Sequence, residues 1–146
     1  DMKELLEELI KKSLDDLYRN DKDLIERRVA ERNLTGLFAY YFRINMQNTD
    51  VADYNVDCEY NRDGYGTKNI DGVLVYPDFI LHKRGTNDDN LLIIEFKTWW
   101  NPNNHDDIEK LREMMSDTHP YKYKYGYSVI LNKENSEIID MDNFSE

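Results

Sequence analysis

The sequence predicts an α/β domain, a mixed sheet of about four strands with helices on both faces. Three observations carry this. Apolar residues recur at helical spacing through the first third of the chain, strand-like runs broken by Gly, Pro, Asn and Asp fill its middle, and a further helical pattern precedes the last strong strand. Elements in the order helix, helix, strand, strand, strand, helix, strand stack as a sheet between helical layers. At 146 residues the chain suits one domain over 1–146 with one real core.

Met2, Leu5, Leu6, Leu9, Ile10, Leu14 and Leu17 lie three and four apart, which predicts an amphipathic packing helix over 1–18. Arg19-Asn20-Asp21 interrupts the pattern and can cap a core helix over 21–46, with Gly36 its weak interior point. On that helix Glu31 falls within roughly 20° of Leu24, Phe38 and Phe42, so an acid sits amid an apolar face. The sheet, with one helix, is expected over 54–131. Tyr54, Val56, Cys58 and Tyr60 alternate with Asn55, Asp57 and Glu59, as in a half-buried strand, and the polar row reads as a solvated face. Residues 61–69, with Gly64 and Gly66, read as a turn from which Arg62 and Lys68 could reach phosphate.

Two apolar runs follow, Val73 to Lys83 and Leu91 to Trp99, separated by the polar segment Arg84 to Asn90 with its Gly and Asn/Asp residues. The first run should fold back on the second, centred near Asn87. Side chains alternate across a strand, so Glu95 and Lys97 share a face while Phe96 takes the other. The fold-back brings Asp78 level with 95–97, and a shift or bulge of one residue would put its carboxylate on their face. A charged pair where a buried strand leaves the core is costly unless it is paired or binds an ion.

Pro77-Asp78, then Glu95, one residue, and Lys97 resemble the motif of the PD-(D/E)xK nuclease superfamily. The resemblance implies a restriction-endonuclease-like core and a magnesium-dependent nuclease, with manganese as the substitute ion and DNA as the expected substrate. It implies that Asp78 and Glu95 hold the ion with the Phe96 carbonyl, and that Lys97 positions or deprotonates the attacking water. Glu31 is the position carried over for a helical glutamate that supports the ion's water shell; pairing with Arg28, Arg32 or a tyrosine is the competing reading. The residue types suit the chemistry, since magnesium takes hard oxygen ligands and keeps several waters. Val56-Asp-Cys-Glu-Tyr-Asn-Arg62 and Pro77-Asp-Phe-Ile-Leu-His-Lys-Arg-Gly85 are similar to small stand-alone nuclease-like proteins. A homodimer would serve to cut both strands.

Helical spacing resumes at Ile108, Leu111, Met114 and Met115, predicting a helix over 105–118. Tyr121 to Leu131 reads as the last strong strand, its odd-numbered residues on one face and Lys122 and Lys124 on the other, and 137–141 as a short edge strand. Those two lysines form the one clear basic stripe; with Arg62 and Lys83 they are the candidate nucleic-acid contacts. Trp99 and Trp100 suit helix-to-sheet packing.

Charge argues the other way. Nineteen basic residues against thirty acidic ones give −11, where a duplex-binding protein ordinarily shows a basic face. A catalytically degenerate module that binds nucleic acid or a protein partner would suit that sign, and a purely structural pairing of Glu95 with Lys97 is the third reading. The lone Cys58, read as a buried free thiol, rules out an intrachain disulfide and suits a reducing, cytoplasmic setting. No run approaches a membrane span, the charged start is no signal peptide, and His82, His105 and His119 lack zinc spacing.

Overall fold

The computed structural model describes residues 1–60, 68–70, 72–102 and 105–142. Helix α1 runs Met2–Glu26, capped by the Asp1 side chain, and buries Leu6, Leu9, Ile10, Leu14 and Leu17. It does not stop at Arg19-Asn20-Asp21 as expected. Asp21 only kinks it (φ −130°, ψ 22°), because its carboxylate accepts from the Tyr41 hydroxyl at 2.5 Å instead of capping a new helix. The break falls at 27–30, where Arg28 takes a left-handed φ of 58° and α2, Glu31–Asn45, begins. Glu31 therefore opens its helix and does not lie at its middle.

The strands follow in chain order as β1 (Asn55–Asp57), β2 (Asn69–Ile70), β3 (Val73–Leu74), β4 (Phe79–His82) and β5 (Leu92–Thr98). Helix α3 (His105–Met115), β6 (Tyr125–Leu131) and β7 (Ser136–Asp140) complete the set among the described residues. Five strands, one more than expected, form a sheet in the order β1-β4-β5-β6-β7, while β2 and β3 pair separately. The sheet is mixed as predicted: β5 and β6 run parallel, and the other neighbours are antiparallel. A parallel pair needs a crossover, and α3 supplies it.

Helices cover both faces. Under α1 and α2 lie Phe79, Leu81, Leu92, Ile94, Phe96, Tyr127 and Val129; Ile80 and Ile93 pack with Leu111 and Met114 of α3. Phe38 anchors α2, its ring 5.2 Å from Phe79 and 5.0 Å from Phe96. Those two phenylalanines directly follow Asp78 and Glu95, so the aromatic cluster fixes α2 against the residues that matter.

Three local expectations are corrected. Strand β1 is shorter than 54–60 because Glu59 turns the chain at φ 51°, which leaves Cys58 exposed. The tyrosine row divides between faces. Lys122 adopts φ 47° and the Tyr123 amide donates to the Met114 carbonyl at 2.9 Å, so Tyr121 and Tyr123 bury with α3 while Tyr127 buries beneath α1 and α2. Helix α3 stops at Met115 because the Ser116 hydroxyl accepts the Thr118 amide at 3.1 Å and turns the chain. The edge strand expected at 137–141 is present as β7. Among the described residues no helix is long and apolar enough to cross a membrane.

Candidate active site

The hairpin register sets the geometry. Phe79 faces Ile94, Ile80 faces Ile93 and Leu81 faces Leu92, so the fold-back centres where the composition of 84–90 puts it, with Gly85 at φ 86° in the turn. One residue beyond the Phe79–Ile94 pair, the same register brings Asp78 opposite Glu95. No bulge is needed. Alternation places Glu95 and Lys97 on the α3 face with Ile93, opposite Phe96.

Asp78 is half-buried and its Oδ2 accepts the Phe96 amide at 2.8 Å, which locks the carboxylate against the backbone of β5. Glu95 is only 1% exposed. Burial raises its carboxyl well above the usual range, and the Asp78 carboxylate, close enough to share a hydrogen bond, pushes the same way; Lys110 pulls back. The Lys110 ammonium reaches in from α3 to pair with Glu95 Oε1 at 2.8 Å and donates to the Tyr76 carbonyl at 3.0 Å. Beside Glu95 in β6, Ser128 carries a buried hydroxyl without a hydrogen-bond partner among the described residues. Lys97, half-buried, stands two residues on, level with Ile130.

Glu31 comes from the other side. It shares with Asp78 a cavity of about 330 Å³, also lined by Thr35, Cys58 and Glu59. Arg32 binds Glu59 at 3.2 Å and the Arg28 guanidinium lies 4.7 Å from the Trp99 ring centre. Asp78 thus borders both Glu95 and the Glu31 cavity. No family model, curated protein or solved structure matches the chain. The site is therefore judged on its own chemistry.

That chemistry suits a hard cation in donor type. Two carboxyls in contact resist ionising together, with burial raising Glu95 most, and a divalent cation in place of the proton would relieve that repulsion. Oxygen donors of this kind fit magnesium or manganese. Among the described residues no three His, Cys, Asp or Glu side chains converge on one point, so Glu31 does not join Asp78 and Glu95 as a third ligand.

Other candidates lie elsewhere. Asp57 is committed to Arg84, whose Nε and Nη2 donate at 2.9 and 2.6 Å, and to buried His82 at 2.7 Å, so His82 and Arg84 are not a bare exposed turn. Lys83 is paired with Asp53 at 3.3 Å. Lys122 and Lys124 do not form a strand stripe. They precede β6, beside the start of β5, where Asp88, Asp89, Asp117 and Asp142 surround them. Lys68 is buried, its ammonium 4.8 Å from the Tyr60 ring centre, and faces no solvent phosphate. Arg62 lies outside the described residues. Trp99 packs, its Nε1 donating to the Ile25 carbonyl at 3.1 Å.

Sequence reasoning missed Lys110 and Ser128. Lys110 could have been found: it sits about 40° from Met114 on the helical wheel, at the border of the apolar stripe of α3. Ser128 gave no signal beyond a small polar residue on a buried strand.

Proposed function

We propose that this chain is a divalent-metal-dependent nuclease that hydrolyses phosphodiester bonds of nucleic acid, with DNA as substrate. One observation carries the reading: the hairpin register sets the Asp78 and Glu95 carboxyls together at the edge of the buried strand that also presents Lys97. Joined to the Pro-Asp and Glu-x-Lys sequence, this supports membership of the PD-(D/E)xK superfamily and a restriction-endonuclease-like core. Asp78 and Glu95 would hold magnesium or manganese, with the Phe96 carbonyl as a third oxygen. The ion supplies charge to offset the phosphate and acidity to a water molecule.

The protein's own groups do the rest. The Phe96 amide fixes the Asp78 carboxylate before substrate arrives. Lys97 orients the attacking water or takes its proton, and Glu31, across the cavity from Asp78, orders neighbouring water. In-line attack would form a new P–O bond from the water as the bond to the leaving oxygen breaks, giving a phosphate monoester on one fragment and, once that oxygen takes a proton from solvent, a hydroxyl on the other. Two copies acting together would cut both strands of a duplex, and a reducing cytoplasm suits the lone thiol.

The test is incubation of the protein with labelled single- and double-stranded DNA and RNA, in magnesium, manganese or EDTA. Asp78→Asn and Lys97→Ala should each abolish cleavage with a melting temperature close to wild type. In Asp78→Asn the side-chain carbonyl can still accept the Phe96 amide, and Lys97 is only half-buried. Full activity in either variant would sink the assignment.

A non-cutting module is the second reading, favoured by the acids around Lys122 and Lys124 and by the net charge of −11. It predicts no cleavage in any metal. Salt separates its two forms, since phosphate-dominated binding weakens steeply with salt and an apolar protein interface does not.

A further inference from the structure

We propose that Lys110 is an exchangeable counter-ion of this site: its ammonium holds Glu95 until a divalent cation takes that carboxylate, and then swings away along α3. The inference rests on the reading of Asp78 and Glu95 as metal ligands. It starts from how unevenly the ammonium is held. It donates to the Tyr76 carbonyl at 3.0 Å, a neutral acceptor, and forms an ion pair with Glu95 Oε1 at 2.8 Å. The charged partner is the stronger of the two, so a cation that takes the Glu95 carboxylate removes most of what holds the ammonium there.

Charge gives it a reason to leave. With a divalent cation bound to both carboxylates, the lysine in place would make the cluster +1, and the departure of the lysine makes it neutral. An ammonium and a divalent cation on one buried carboxylate are like charges a few ångströms apart, where the low local dielectric magnifies repulsion.

There is also somewhere to go. The Lys110 side chain is 23% exposed and lines an open groove of about 990 Å³ between α3 and the β3–β4 connection, through which the ammonium can reach solvent. A flexible four-carbon stem allows the move without shifting the helix. Lysine in this position excludes weakly bound monovalent ions and yields to a cation of higher charge.

The experiment titrates Mn²⁺ into wild type, Lys110→Met, Lys110→Arg and Asp78→Asn at one pH, reading free Mn²⁺ by its paramagnetic resonance. Lys110→Met should bind Mn²⁺ about tenfold tighter than wild type, and Lys110→Arg should stay near wild type. A merely structural lysine would loosen the site when removed, so binding by Lys110→Met that is no tighter than wild type overturns the proposal. A second measurement needs no variant at Lys110. Acetylation of its ε-amine in wild type, followed by mass spectrometry, should run several-fold faster in Mg²⁺ than in EDTA, and an unchanged rate also overturns it. If wild type binds no Mn²⁺, or Asp78→Asn binds it equally well, the metal-site reading itself fails. If wild type binds and Asp78→Asn does not, a negative result with Lys110→Met removes only the role of Lys110.

Discussion

At Asp57 two opposing effects meet. Burial alone would raise its carboxyl, but hydrogen bonds from His82 and Arg84, with their charges, outweigh it and bring the pKa from 3.8 down to about 2. A carboxyl depressed on folding contributes stability that is complete above its unfolded pKa and is lost as pH falls through the folded one. The contribution is on the order of 2 kcal/mol near neutrality and about half gone by about pH 3. Urea midpoints of wild type and Asp57→Asn should differ clearly at about pH 5 and converge as pH falls toward 3; an unchanged gap would refute the ion-pair account. The alternation of Asn55 and Asp57 was legible, but the solvated face expected of it was not what folds, because His82 and Arg84 are distant in sequence and meet Asp57 only through strand pairing. Asp78 and Glu95 were legible for the opposite reason: a short hairpin makes sequence spacing a measure of distance. Lys110 arrives from another layer, and no local pattern encodes that meeting.

The hairpin as an element hinges on its turn. Gly85 holds φ 86° with open space where a Cβ would point, so Gly85→Ala adds no clash and tests backbone preference alone. It should cost about 1–2 kcal/mol in chemical denaturation, with Mn²⁺ affinity unchanged because Phe79, Ile80 and Leu81 hold the register. A loss of Mn²⁺ affinity matching the loss of stability would show that the turn, and not the strand pairing, sets the site. The helices teach a different lesson. Asn20 and Asp21 have the composition of a cap, yet Tyr41 claims the Asp21 carboxylate and α1 continues to Glu26. Local signals said where a helix could start, and a tertiary hydrogen bond decided where it did. In the tyrosine row, likewise, a single left-handed residue, Lys122, reassigns Tyr121 and Tyr123 to the α3 face, a change that alternation cannot foresee.

For the whole molecule, layer order and mixed pairing were readable because periodicity separates helix from strand and a parallel pair demands a crossover; the count fell one short because the edge strand expected at 137–141 stood outside the four counted, whereas β7 joins the sheet beside β6. Ligand linkage gives the global prediction. If Asp78 and Glu95 bind magnesium only in the folded state, about 10 mM ion at a millimolar dissociation constant should stabilise the protein by about 1.4 kcal/mol, and Asp78→Asn should lose the shift. The gain should rise with pH, because burial raises the Glu95 carboxyl and the ion competes with its proton. A magnesium shift equal in Asp78→Asn would place the binding elsewhere. The outer strands carry a separate consequence. Backbone at a sheet edge invites pairing with another copy. Here one edge is only Asn55–Asp57, and the other, Ser136–Asp140, presents exposed Glu137 next to an Asp140 bound to Lys3. With eleven excess negative charges behind them, two such edges repel before they can zip together, so the acidity that works against a polyanionic partner also serves as colloidal protection. Acidifying toward the isoelectric point near 4.7 would strip that protection away.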